Sequence, residues 1–425
     1  MKNNKLSLKN ISVLLISIFL LWYLLPAIRF YLNGFIANVI MTVVLITWSI
    51  IVIIIIYNQK KVFYHKYLLF VVINIMFYIC SLFFSNTGNI SEFIKMGVIY
   101  WFPTFVFFFY YSIGEKKAIN YLFKLCFFCI IVTIIPTIIE LIRDSSSLRW
   151  MAYYAGQQLQ EQTIKSKYNI GDFSFIYSLI FCIPILYYYI KKNKNKKICI
   201  FLLILVILTI LKASFSIAII LSLISLIMCF KNITLEKSKI LSMIFLYIIF
   251  LGLSLLVLFP NILVSFAKTI NNNFISDRII EIANALKNTS ELEGDLSSRA
   301  ELYMMSIKTF KNHPIIGIGG YYYVENVGIG YHSQILDDLA RYGIFYFVNT
   351  LLFIIFYKKF LSEILAINVK LKKIINIELI IYLLLLFVNP IYLCSWISMA
   401  IFILLPCMIY KERVELNEDT KQNNI

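Results

Sequence analysis

The chain has 425 residues, of which 61% are hydrophobic, 16% aromatic and 14% charged, and it carries a formal net charge of +17. That charged fraction lies far below the roughly 25% of a soluble domain, and the charges cluster between apolar runs such as 41–57 and 240–259. The pattern excludes a soluble globular domain. It also excludes a nucleic-acid binder, whose basic residues would share one face, and a β-barrel, whose strands alternate polar and apolar residues where 50–56 does not.

In chain order, Lys2, Lys5 and Lys9 precede an apolar run over 11–25. The run is longer than the core of a signal peptide and no small-x-small cleavage site follows, so it reads as a retained first helix. Apolar runs of about twenty residues match the bilayer core. They predict helices over 11–29, 35–57, 67–85, 97–113, 121–142, 174–190, 198–211, 214–230, 240–260, 343–357, 374–389 and 391–410. The expected fold is all-α: a polytopic transmembrane bundle of about twelve spans with a large helical extracytoplasmic loop. The turn Lys212 to Ser214 is the least secure division between helices.

Basic residues set the expected orientation. One side collects Lys2, Lys5, Lys9, Lys60, Lys61, Lys66, Lys116, Lys117, the lysines of 191–197, Lys231, Lys237, Lys239, Lys358, Lys359, Lys370, Lys372, Lys373, Lys411 and Arg413. The other side has few in its short loops: Arg29, Lys95 and Lys212. The alternation puts both termini in the cytoplasm, and an even number of spans has the same parity. The expected organisation is nine spans over 1–260 with an outer loop near 143–173, a large outer loop over 261–342, three spans over 343–410, and a cytoplasmic tail over 411–425. All eight cysteines fall in apolar runs, where thiols act as small hydrophobes. Cys126 and Cys129 form a C-x-x-C with no second pair or histidine cluster, which argues against zinc.

The large loop should hold helices of its own. Ser298 and Glu301 have capping-box spacing, and Ala300, Tyr303, Ile307 and Phe310 then share a face up to His313-Pro314. With Ser298 as cap, Arg299 would sit in the first helical turn, where backbone N–H groups and the dipole favour an anion. A guanidinium there could grip a phosphate. From spacing alone, a surface arginine paired with Glu301 or a lipid headgroup fits slightly better. The stretch Pro314-Ile315-Ile316-Gly317-Ile318-Gly319-Gly320 is a weak nucleotide signal without a βαβ unit and reads as a close-packed turn. Gly328 and Gly330 lead to Tyr331, His332 and Ser333, which precede an amphipathic helix with Ile335, Leu336 and Leu339 on one side and Asp337, Asp338 and Arg341 on the other. His332, behind glycines that leave room for a ligand, is the candidate for proton transfer; a structural histidine fits about equally well. Of the three histidines, His65 lies in a basic loop and takes no role.

The sequence has no Walker motif, no H-E-x-x-H and no D-x-D cluster, so neither a metal nor a cofactor is expected. The spans hold few ionisable groups, chiefly Glu140 and Lys212, and no internal repeat is evident. Both features argue against a proton-coupled transporter.

An arginine opening a helix, then N-H-P-I-I-G-I-G-G, then G-Y-H-S and an amphipathic helix entering a span resembles the O-antigen ligase/polymerase family. The motif likeness covers about 278–343, and the helix count and loop position extend it along the chain. The resemblance implies a metal-independent glycosyltransferase of the cytoplasmic membrane acting on undecaprenyl-pyrophosphate-linked oligosaccharides, without a cofactor. Among the activities it covers, the expectation is a polymerase of O-antigen or capsular repeat units. The alternatives are a ligase to another acceptor and a flippase or other transporter. The family's loop arginine and histidine match Arg299 and His332, and its preceding loop arginine matches Arg278. A mid-chain Ser-Arg of many members is replaced here by Lys212-Ala213-Ser214, so Lys212 would supply that charge. Tyr331, with Tyr321, Tyr322 and Tyr323, could stack on sugars, although interfacial anchoring accounts for some of these rings. Membrane lipid, a chain-length regulator and a flippase are the further partners implied, and no nucleic acid.

Overall fold

The computed structural model describes residues 7–32, 34–59, 65–84, 90–144, 147–148, 167–193, 195–230, 265, 276, 280, 295–318, 328–365, 369–392 and 394–422, the side chains of 81–84, 90–99, 295–300, 369 and 417–422 excepted. Among the described residues there is no strand. The helices are α1 (Leu8–Leu24), α2 (Pro26–Tyr31), α3 (Gly34–Gln59), α4 (Lys66–Phe84), α5 (Ile90–Ser112), α6 (Lys116–Arg143), α7 (Phe173–Lys191), α8 (Lys196–Ala213) and α9 (Ser216–Phe230). There follow α10 (Asp295–Asn312), α11 (Gln334–Leu365), α12 (Val369–Val388) and α13 (Ser395–Met399), which runs through a π turn (Ala400–Leu404) into α14 (Leu405–Gln422). Every predicted helix has a counterpart here except 240–260, which lies outside the described residues.

Among the described residues, four helices are long and apolar enough to cross a bilayer: α3, α6, α7 and α11. Shorter apolar helices run over Leu8–Leu24, Lys66–Cys80 and Ser216–Phe230. Two local features depart from the continuous runs predicted. The expected helix 11–29 breaks at Leu25, which is extended (φ −82°, ψ 113°), because a residue before proline is driven out of the α region. Pro26 then takes the first position of α2, where its missing N–H costs nothing. Between α8 and α9, Ser214 adopts φ +55°, so the division there is a real turn.

The basic loops meet at one end of the bundle. Lys9 pairs with Glu115 at 2.8 Å, and Lys192 with Glu412 and Glu415 at 2.7 and 2.9 Å. His65 lies 3.2 Å from Glu363, and Lys373 Nζ donates to the Cys229 carbonyl at 2.8 Å. At the other end the Asn169 side chain accepts from Ala27 N (3.2 Å), Ser174 Oγ accepts from Trp396 N (3.2 Å), and Gln334 N donates to the Asn389 carbonyl (3.2 Å). Between the ends lies an aromatic core in which Trp101 packs on Phe353, Tyr392 and Phe402. The π turn leaves a carbonyl out of the helical ladder, and Tyr357 Oη satisfies Ile401 O at 2.8 Å.

Candidate functional site

The candidate site sits at the end of the bundle opposite the basic loops, where α10, the 328–333 segment, the start of α11 and the 389–394 linker converge. α10 begins at Asp295, three residues before the cap expected at Ser298. Ser298 therefore lies within the helix, and Arg299 is the fifth residue of it, which corrects the capping-box reading. The buried side of α10 also differs from the expected apolar face. Ser306 is fully buried and Thr309 nearly so, while Tyr303, Ile307 and Phe310 are half-buried.

Backbone packs on backbone throughout this region. After His313-Pro314 the chain folds onto a kink in α11: Ile318 N donates to Ala340 O at 3.0 Å and Ile344 N to Pro314 O at 2.9 Å. The kink is Gly343, at φ +74°. A Cβ on Gly343 would come 2.1 Å from Ile315 O, and one on Gly317 (φ +61°) would come 2.3 Å from the Arg341 carbonyl. The glycine-rich stretch is thus a clasp between two backbones. Past the kink, Ile344 to Leu365 gives about 33 Å of helix at ~1.5 Å per residue, enough to span without the 334–342 segment.

The glycines ahead of His332 also sit at close contacts with α10, Gly328 against the Thr309 side chain and Gly330 against backbone. A Cβ on Gly330 would lie 2.0 Å from Leu302 O. Gly330 N donates to Ser306 Oγ at 2.9 Å, and Thr309 Oγ1 donates to Gly328 O at 2.5 Å. Beyond Gly330 the backbone turns left-handed at Tyr331, φ +57°. The Arg341 guanidinium lies over the Tyr331 ring at 5.1 Å. His332 is half-buried, and its Nδ1 is buried with no hydrogen-bond partner among the described residues.

Asp337, Asp338 and Arg341, the polar side of the expected amphipathic helix, are 2%, 4% and 4% exposed. The amphipathic pattern was real, but its polar side faces protein. Asp337 Oδ1 accepts from Ser306 Oγ (2.7 Å) and Tyr331 N (3.2 Å), and Oδ2 accepts from Ser333 N (3.3 Å). Gln334 Nε2 donates to both oxygens of Asp338 at 3.0 Å, while its Oε1 accepts from Ile391 N (3.0 Å) and Tyr392 N (3.1 Å). Burial pushes both carboxyls up, Asp338 to about 8, and the Arg341 guanidinium pulls each of them back down.

Of the predicted site residues, Tyr331 and His332 lie in this loop. Arg299 is one turn of α10 ahead of Leu302, whose carbonyl meets Gly330; its side chain falls outside those described. Lys212 is exposed in the last turn of α8. It shares this end of the bundle, because Phe215 packs on Phe173 and Tyr177 at the start of α7. Arg278, Tyr321, Tyr322, Tyr323 and most of the 143–173 loop lie outside the described residues. Among the described residues no group of three or more His, Cys, Asp or Glu side chains is placed to hold a metal ion.

The model of the O-antigen ligase family matches residues 197–351, a little over a third of the chain. Residues 197–351 form a domain of the O-antigen ligase family. The domain takes in Lys212, Arg278, Arg299, Tyr331 and His332, together with the buried Ser306, Asp337 and Arg341. Apolar helices long enough to span a bilayer, with the O-antigen ligase match, point to a membrane protein of glycan-transferase type. No curated protein matches the chain significantly.

Ser306, Gln334 and Asp337 were missed in the sequence. Asp337 left a local signal, since it lies four residues after Ser333 at a helix start. Ser306 left none, because its partners are 24 and 31 residues away.

Proposed function

We propose that the protein polymerises undecaprenyl-pyrophosphate-linked oligosaccharide repeat units on the outer face of the cytoplasmic membrane, crossing it about twelve times with both termini in the cytoplasm. What supports this reading is the O-antigen ligase match over the stretch in which the loop bearing a half-buried histidine packs, through Gly330, on the arginine-bearing helix. A hydroxyl of the incoming lipid-linked unit attacks the anomeric carbon of the growing glycan. The C–O bond to the lipid pyrophosphate breaks, and its electron pair leaves with the pyrophosphate. His332 takes the hydroxyl proton. Arg299 and Arg278, with Lys212 at the same end, neutralise the departing pyrophosphate, which needs charge more than protonation. Tyr331 holds a sugar ring. A chain-length regulator and a flippase are the partners such a reaction calls for.

The name of the matched family favours a second reading, transfer of finished glycan to a different acceptor. The two separate on a gel of cell-surface glycan from wild type, a deletion strain and His332→Ala. A polymerase deletion leaves single repeat units in place of a ladder. A ligase deletion leaves polymer on its lipid carrier. An unchanged ladder in both strains would overturn both readings.

A further inference from the structure

We infer that Asp337 is a positioning residue: its carboxylate clamps the backbone on both sides of His332 and ties the histidine loop to the helix that carries Arg299. The inference rests on the reading of His332 as the base. Three contacts define the clamp. One carboxylate oxygen accepts from Tyr331 N at 3.2 Å and Ser306 Oγ at 2.7 Å, and the other from Ser333 N at 3.3 Å. The residue between the two bonded amides is His332. Ser306 in turn accepts from Gly330 N at 2.9 Å. The amides on both sides of the histidine and a hydroxyl of α10 therefore converge on one side chain that is 2% exposed.

Helix capping alone would be a simpler account. Ser333 does cap α11, accepting from Leu336 N at 3.3 Å, and an acid that returns a bond to the cap N–H completes a capping box. Capping explains only the bond to Ser333 N. The bonds to Tyr331 N and to Ser306 lie outside the helix and are of no use to its start. They fix a left-handed residue, Tyr331, and a neighbouring helix. Charge-assisted bonds of this kind are stronger than neutral ones, and they hold a catalytic side chain within the narrow range of positions that proton transfer tolerates. A base and a pyrophosphate-binding arginine on separate loops would drift relative to each other. Through Ser306 and Asp337 they share one frame.

The three histidines supply the test. Diethyl pyrocarbonate acylates accessible neutral imidazole, and mass spectrometry reads its rate at each site in membranes holding the full-length protein. His313 is exposed and His65 lies at the opposite end of the bundle, so both report on the general fold. In Asp337→Asn, labelling of His332 should quicken about tenfold, equivalent to ~1.4 kcal/mol of lost restraint, with His65 and His313 unchanged. Ser306→Ala should give a smaller rise confined to His332. Ser333→Ala removes the cap hydroxyl and should leave His332 close to wild type. An unchanged His332 rate in Asp337→Asn overturns the clamp, and so does an equal rise in Ser333→Ala, which would mean capping is the whole role. Should Asp337→Asn quicken all three sites, the fold has failed and Ser306→Ala decides: a rise at His332 alone supports the clamp, and no rise overturns it. Failure of the functional reading looks different. A normal glycan ladder from His332→Ala would remove the base while leaving these labelling rates as they are.

Discussion

Gly317 and Gly114 form a matched pair that measures the backbone clasp. Both have positive φ, +61° and +73°. A Cβ on Gly114 would meet nothing within 4 Å, whereas one on Gly317 would lie 2.3 Å from the Arg341 carbonyl and 2.5 Å from Tyr342 N. Alanine at Gly114 therefore costs only the left-handed backbone penalty, roughly 1–2 kcal/mol. Alanine at Gly317 incurs the same penalty and also forces the two chains apart. The bonds Ile318 N to Ala340 O and Ile344 N to Pro314 O would then be lost, at about 0.5–1.5 kcal/mol each. The difference between the two variants should be about 1–3 kcal/mol. Heating detergent-solubilised protein and recording the fraction that remains monodisperse gives the ranking, with Gly317→Ala failing at a distinctly lower temperature. The glycan ladder gives the functional consequence: intact in Gly114→Ala, lost or shortened in Gly317→Ala, because the clasp seats the helix start that bears the His332 loop. Equal heat resistance in the two variants would refute the close approach of these backbones.

Two further outcomes follow from the site. Arg299→Ala should abolish polymer while the protein remains in the membrane at wild-type amount; full-length polymer from that variant would remove Arg299 from the mechanism. Asp338 is an acid whose pKa burial raises in the folded protein to about 8, from an ordinary carboxylate value of 3.8. The folded state therefore binds the extra proton between those values, and the stability this contributes is present at low pH and lost as pH rises toward 8. Asp338→Asn should flatten that fall in a series of melting temperatures from pH 5 to 8.5, and an unaltered slope would show that Asp338 does not carry it.

How far the sequence could be read depended on how local each interaction was. The apolar runs gave the helices because a span needs only length and hydrophobicity. Pro26 signalled the break after α1 but was absorbed into a longer run. Ser298 had capping-box spacing to Glu301, yet the helix already runs through it from Asp295, because where α10 starts is set by its packing in the fold. The pattern Ile335, Leu336, Leu339 against Asp337, Asp338, Arg341 correctly indicated two faces. It could not say that the polar face meets another helix, since the partner, Ser306, is a serine in an unremarkable position. The glycines at 317, 330 and 343 marked contacts between backbones, while their partners in space could not be inferred from spacing.

Glu378 tests the transferase reading from the opposite direction. The spans seemed nearly free of ionisable groups in the sequence, and that argued against a transporter. Yet Glu378 lies within α12 at 1% exposure, and among the described residues neither of its carboxyl oxygens has a hydrogen-bond partner. A buried polar group without partners costs about 1–3 kcal/mol relative to a satisfied or apolar one, and an acid inside a membrane span is by default a candidate for function. The two possibilities give opposite results in Glu378→Leu. If the carboxyl takes no part in glycan transfer, the substitution removes an unmet desolvation cost, so heat resistance should rise by up to ~3 kcal/mol and the ladder should stay intact. If the carboxyl carries a proton through a transport cycle, the variant will be at least as stable but the glycan will disappear from the surface. The site on α10 and the 328–333 loop lies at the far end of the bundle from Lys373 and Cys229, the contact that marks the Glu378 half of α12. Transfer at that site therefore predicts the first result. Loss of surface glycan from a stable, membrane-inserted Glu378→Leu protein would count against transfer alone and return weight to transport.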